Sequence, residues 1–532
     1  MIMMVPTAPI QLIALVLATG SLATSNTELS EGFGPTLGSA RENGPQIFNA
    51  VHNAMREFGS ALNHNGMSLF PGIIPEGVLL YHGRFTKEEP ELFDWLAFEI
   101  EHAESFARGG WRYPPNRTLS IPLQDEQRPP IFAPKSGYLH VYQADRPLNV
   151  LYIDGTAAGK TDMGTVDTQD YLLAVNRSRD SWNDWQRAKG LCELAQEWNI
   201  DGFIRMEPGF EVIYCNFTDG LRPVSTYQQP DMDDLGRVND SRIAMFEWVK
   251  AAAQRYNGIG SSRVVLDYSS MVSAFFYPLN LTNPDPKRPE LPRLVDASDD
   301  EMRVVREHVA NSMARSIASK NAPLDWQGVT DMITTRYAQR LPFISRSNSI
   351  NVIRNEVNNL LNVYIDYSDT DDGLSSAQKR CAQFYLQPTR VRTPEDELIY
   401  AAIEATATTI CTALFEVRRL VIEDTEIDET SAIDATRNII SDLMDTLRWP
   451  EWKECGPCQP DEVCFVAMWP FGDVEDHFNP SCRNFWSILG RHNYWKDPGR
   501  TPGHGPPPPP PPSLCENEQS CGEQEYLKNE EL

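Results

Sequence analysis

The sequence predicts an α+β protein in three parts. A mixed small-sheet N-terminal domain spans 45–235, an all-helical middle domain spans 240–450, and a disulfide-rich C-terminal segment spans 451–498. Three observations predict this. Short apolar runs bounded by Gly and Pro fill the first part without regular strand–helix alternation, which argues against a doubly wound sheet. From Asp240 the apolar residues recur at helical spacing. Past 450, Cys and Trp concentrate. A chain of 532 residues also exceeds what one core holds.

Taken in order, Ile47, Val51, Met55, Phe58 and Leu62 predict one helix over 45–64. Val78–Tyr81 reads as a strand that runs into His82-Gly83. Glu99–Arg108 reads as a helix, and a Pro-rich loop covers 113–134. Tyr138–Gln143 and Leu148–Ile153 read as strands. Residues 156–170 have no period and read as a loop. A helix over Trp182–Glu197 precedes strands Gly202–Met206 and Glu211–Phe217, which flank a Pro208-Gly209 turn.

The middle domain reads as helices over Ser241–Tyr256, Ser261–Phe276, Asp299–Lys320, Trp326–Leu341, Ile350–Tyr367, Ser375–Phe384, Pro394–Val421 and Ser431–Leu447. Thr393 and Pro394, followed by two acids, form a strong helix start. The proline run Pro506–Pro512 is a stiff spacer inside a disordered tail over 499–532.

The net charge is −27, from 47 basic and 74 acidic residues. That excludes sequence-independent nucleic-acid binding and attraction to anionic membranes. Residues 1–23 read as a signal peptide, with the apolar run Leu12–Ala18 and small residues Ser21 and Ala23 before the cut. The n-region lacks Lys and Arg. No later run approaches the ~20 apolar residues of a membrane span. N-glycosylation sequons begin at Asn116, Asn176, Asn216, Asn239 and Asn280, and there are 10 Cys. The expected location is extracellular. The terminal Asn-Glu-Glu-Leu gives ER retention as a minor alternative.

Several motifs carry chemistry. Cys455, Cys458, Cys464 and Cys482 could ligate zinc, but an oxidising compartment favours two disulfides of open connectivity. Unit membership pairs Cys192 with Cys215, Cys381 with Cys411, and Cys515 with Cys521. Gly155-Thr156-Ala157-Ala158-Gly159-Lys160-Thr161 approaches a phosphate-binding loop but is one residue short. Glu99 and His102 lie one helical turn apart without the second copy that a bundle metal site uses. Glu207 and Glu211 could serve as paired hydrolase carboxylates if the Pro208-Gly209 step leaves both on one face.

Two resemblances follow from longer stretches. Leu80-Tyr81-His82-Gly83-Arg84, Trp95–Glu99 with His102-Ala103, Leu151–Gly155 and Arg205–Glu211 resemble uncharacterised secreted proteins of filamentous fungi. More remotely, Leu80–Arg84 is similar to the first nicotinamide-binding strand of ADP-ribosyltransferases of the His-Tyr-Glu type. Phe98 before Ala103-Glu104-Ser105-Phe106-Ala107, and Glu211-Val212-Ile213-Tyr214, continue that likeness. Phe98 stands where the family has Tyr. The resemblance implies NAD as substrate, with Gly83 backbone groups and Phe98 holding nicotinamide. His82 would bond a ribose hydroxyl, and Glu211 would stabilise the charge that forms as the glycosidic bond breaks. The expectation is a secreted glycoprotein of unknown function, for which the resemblance implies an ADP-ribosyltransferase-like, NAD-binding enzyme. The alternative is a non-catalytic extracellular or cell-surface interaction protein.

Overall fold

A computed structural model describes residues 32–107, 136–173, 184–230, 241–260, 262–319, 322–368, 373–424, 426–488 and 490–495. The expected signal peptide 1–23, expected loop 113–134 and expected tail 499–532, with Asn116, Asn176, Asn239, Cys515 and Cys521, lie outside these residues.

The N-terminal part is a mixed sheet. Its strands are β1 (Ser68–Ile74), β2 (Leu79–Arg84), β3 (Asp94–Ala97), β4 (Tyr138–Ala144), β5 (Leu148–Ile153), β6 (Gly202–Glu207), β7 (Gly209–Tyr214), β8 (Leu221–Gln228), β9 (Val265–Leu266) and β10 (Val272–Ser273). The order across the sheet is β10-β1-β5-β6-β7-β3-β2-β4-β8, with β9 also on β1. The β5–β6 pairing is parallel; the other registered pairings in this sheet are antiparallel. A parallel pair needs a long crossover. Residues 154–201 supply it, including helix Asp184–Trp198.

The helices, in chain order, begin with α1 (Leu37–Glu42), α2 (Gly44–His52), α3 (Glu57–Leu62), α4 (Ile100–Ala107), α5 (Asp184–Trp198) and α6 (Ser241–Ala253). The helical region then holds α7 (Asp299–Ala318), α8 (Trp326–Tyr337), α9 (Arg340–Arg346), α10 (Ile350–Leu361), α11 (Leu374–Gln383), α12 (Pro394–Arg418) and α13 (Glu429–Leu447). Its axis is α12, which buries Leu398, Ala402, Ile403, Ile410, Leu414 and Val417. Thr393 and Asp396 close a capping box, and Pro394 opens the helix. Among the described residues, only Pro394–Glu423 is long and apolar enough to cross a membrane, and 61% of its most apolar window is buried inside the fold.

The C-terminal segment pairs β11 (Glu462–Phe465) with β12 (Ser481–Asn484) and adds short helices α14 (Val474–Phe478) and α15 (Phe485–Ile488). Disulfides join Cys455 to Cys464 and Cys458 to Cys482, so these sulfurs are not zinc ligands. Cys192–Cys215 ties α5 to the end of β7, and Cys381–Cys411 ties α11 to α12. The segment returns over the sheet domain. Trp469 covers Lys160 at 4.8 Å.

Two expectations change. The helix expected over 45–64 is broken: α2 ends at His52, Met55 sits at φ +56°, and α3 restarts at Glu57. The helix expected over 261–276 is instead β9, β10 and two 3-10 turns that pair with β1. Its apolar spacing fits either structure. The side of β1 away from β5 pairs with both short strands, a tertiary preference that outweighs local period. β1 lies in the approach to the Val78–Tyr81 strand, where Pro71 and Pro75 give no strand pattern. Pro71 needs no donor there, and its carbonyl accepts from the Asp267 amide at 2.7 Å.

Candidate functional site

β2 is registered to β4 along its whole length, but to β3 only through Tyr81↔Ala97. β3 is registered to β7 through four pairs, Asp94–Ala97 against Tyr214–Glu211. The sheet therefore has a weak seam between β2 and β3. His82 bridges the seam: its Nδ1–H donates to the Trp95 carbonyl at 2.8 Å. That bond fixes the tautomer and leaves Nε2 facing Asp94 at 3.6 Å. The ring also packs on Phe217 at 5.5 Å.

A cavity of about 100 Å³ opens at this seam. His82 and Gly83 line it from β2, Trp95 from β3, His102 and Phe106 from α4, and Lys160, Asp184, Glu207 and Glu211 complete it. Three of the four expected site residues, His82, Gly83 and Glu211, thus come together. Phe98 does not join them. Its buried ring lines a neighbouring cavity under the Arg263 guanidinium. Gly83 has a packing reason to lack a side chain. A Cβ there would lie 1.8 Å from the Ala103 carbonyl oxygen, because α4 crosses directly over it.

The β6–β7 hairpin turns at Pro208, yet both glutamates reach the same face. Register pairs Arg205 with Glu211, and Glu207 lies two residues along from Arg205. Gly209 makes the turn at φ +103°, and a Cβ there would meet a Glu99 oxygen at 2.9 Å.

Around the glutamates lies a buried ion network. Arg205 is fully buried. Its Nε donates to Glu211 at 2.7 Å, and its two Nη groups donate to Asp184 at 2.9 and 2.6 Å. Lys160 pairs with Glu207 and lies 3.4 Å from Asp184. Arg187 joins Asp184 to Asp170. Although burial disfavours its charge, Asp184 is held well below the usual carboxylate range by Arg205 and Lys160. Burial pushes the Glu211 carboxyl up to about 7, partly opposed by Arg205. Burial, then Lys160 and Arg205, lowers His102 to about 3, so it is a neutral imidazole. His102 stacks on Trp248 at 4.4 Å.

Single ligand atoms of His102, Glu207 and Glu211 lie within 4.8 Å of one another, close enough for one cation. Lys160 and Arg205 already balance those carboxylates, so a divalent ion would have to displace an ammonium group. The near-match to a phosphate loop has another use. Its Lys160 reaches into the acid pair, and turns rather than a helix follow it. Asp184 and Arg205 were not legible as site residues, and Lys160 only through the phosphate-loop near-match. The available signal was an arginine inside the otherwise apolar run Phe203-Ile204-Arg205-Met206.

Residues 39–118 and 122–244, which include every residue of this cavity, match the family model described as the YPL277C N-terminal domain. The likeness is to an uncharacterised fungal family. The uncharacterized protein YOR389W of Saccharomyces cerevisiae is 27% identical over 537 residues, covering 82% of this chain and 83% of that protein. The uncharacterized protein YPL277C of the same yeast is 28% identical over 384 residues, covering 57% of this chain and 75% of that one. No solved structure matches. The relatives' names carry no activity.

Proposed function

We propose that this chain is a secreted enzyme of the ADP-ribosyltransferase type that breaks the nicotinamide–ribose bond of NAD at the β2–β3 seam. One observation carries the reading: His82, Gly83 and Glu211, remote in sequence, line one cavity. In the proposed step the C1′–N bond breaks, and nicotinamide leaves neutral with both electrons. The ionised Glu211 carboxylate stabilises the positive ribose ring. Water or an acceptor hydroxyl adds at C1′, and its proton passes to Glu207, whose charge Lys160 holds in place. The cavity of about 100 Å³ suits one ring, so the rest of the dinucleotide would extend through the seam.

The test is nicotinamide release from NAD by purified protein. Glu211→Gln should reduce it by at least about a hundredfold, the usual scale for one transition-state contact, with thermal unfolding unchanged. Absence of NAD turnover by the wild-type protein sinks the reading. Because the carboxylate form acts, the rate should rise with pH through about 7.

The acid pair also suits a second reading, hydrolysis of an O-glycosidic bond. Its carboxylates approach the ~5 Å separation of retaining glycosidases. Sugar release without nicotinamide release would select it. Secretion and glycan attachment belong to the proposal as well. Asn216 and Asn280 are both exposed, which supports it. A mass loss on glycosidase treatment of protein from a eukaryotic host tests it.

A further inference from the structure

A second cavity, of about 380 Å³, adjoins the first and shares Tyr81 with it. Phe98 and Tyr81 give it aromatic walls, and Arg255 and Arg263 line it. The N-terminal turn of α4, Ile100 and Glu101, also lines it, and such turns present unpaired amides. Arg263 is anchored by the carbonyls of Phe98 at 2.7 Å and Leu79 at 3.3 Å, which hold its guanidinium over the Phe98 ring. Arg255 meets Glu99 through Nε at 3.3 Å, and its Nη groups have no partner among the described residues. The two guanidiniums are close enough to repel each other. Two glutamates, Glu99 and Glu101, line the cavity beside the two arginines, which leaves the Arg255 Nη groups as its uncommitted donors among the described residues.

We infer that this cavity binds a phosphorylated small molecule, its phosphate on Arg255 and the α4 N-terminus and its ring against Phe98 and Tyr81. Its size lies within the range of small-ligand sites. Arg263 acts as a fixed positive wall, and Glu99, held by Arg255, and Glu101 oppose the anion. The site does not depend on the chemistry assigned to Glu211.

Adenosine 5′-monophosphate and inorganic phosphate are the probes, titrated calorimetrically into the glycosylated full chain. The nucleotide should bind, and Arg255→Gln should weaken it by about tenfold or more, the loss expected of one charge-assisted contact. Glu101→Gln should tighten it. Ala251→Phe, which fills the cavity from α6, should abolish binding without lowering the unfolding temperature. No binding by either probe, or binding unchanged in both Arg255→Gln and Ala251→Phe, overturns the inference. Equal affinity for phosphate and nucleotide removes the aromatic seat. Glu211→Gln should leave this binding unchanged, so its outcome separates the two sites.

Discussion

The molecule buries polar groups in two regions by opposite means. At the seam, Lys160, Asp184, Arg187, Arg205 and Glu207 each face an oppositely charged partner. Where α14 of the C-terminal segment packs on the sheet domain, His64 and His477 are buried without an ion partner among the described residues. His64 meets Trp495 at 5.0 Å and Tyr494 at 5.7 Å, and His477 stacks on Tyr494 at 4.5 Å. Burial, then nearby Arg288, lowers His64 to about 3. Burial, then His64, Lys453 and Arg288, lowers His477 to about 2. The difference teaches where to look for chemistry. Imidazoles packed neutral among rings act as apolar bodies with a polar penalty. Charges kept at such desolvation cost need a reason beyond stability, since hydrophobic replacements are often as stable.

The largest effect expected comes from breaking the charged region. Arg205→Met strands Asp184 and Glu211 in a dry interior and should cost about 3–5 kcal/mol. Denaturant unfolding measures it. A loss under about 1 kcal/mol would mean water reaches the network and the region is not dry.

Gly83→Ala should come next. The added methyl would meet the backbone of α4 rather than a yielding side chain. Overpacking of this kind costs roughly 1–3 kcal/mol. If Gly83→Ala lowers the unfolding temperature while Glu211→Gln does not, packing is shown at the first residue and chemistry at the second.

The histidine region predicts a pH effect of the same order. A histidine whose folded pKa is lowered contributes stability that is present above its unfolded value, near 6.5, and lost as pH falls toward 3. His64 should cost about 1.4 kcal/mol for each pH unit below 6.5. The buried acids run the other way. Glu99, Asp154 and Glu211, each lifted to about 7 mainly by burial, add stability at low pH that is lost as pH rises through 7. His64→Phe should therefore remove one of the opposing histidines, with His102 and His477 remaining. Its unfolding temperature relative to wild type should be higher at pH 5 than at pH 7.5. A pH-independent difference would mean His64 is already charged or solvated.

The same contrast explains what could be read without coordinates. β5 is a continuous apolar run, and its expected bounds, Leu148–Ile153, are the observed ones. α12 carried its own cap, Pro and period, and it became the core of the helical region. Such elements are specified locally. β1, β3 and the 262–276 stretch are specified by their partners, and nothing local separates Pro71-Gly72 in a strand from the same pair in a turn. At the site, His82, Gly83 and Glu211 followed from a resemblance. Lys160, Asp184 and Arg205 depend on a crossover and a hairpin meeting in space, and sequence distance hides that. Phe98 shows the converse, a motif position that topology sends to the next cavity.

The smallest effect tests whether the two regions communicate. Trp469, from the C-terminal segment, lies over the Lys160 ammonium, which in turn pairs with Glu207. Trp469→Leu keeps an apolar cover but removes the ring face, a loss of about 0.5–2 kcal/mol at a partly desolvated site. The Lys160 charge would then rest on Glu207 and Asp184 alone. Stability should fall by that amount, and the rise of nicotinamide release with pH should shift, because Lys160 is among the charges that lower Glu211. A variant with the stability loss but an unmoved pH profile would make the C-terminal segment a cover only, with no hold on the acid pair beneath it.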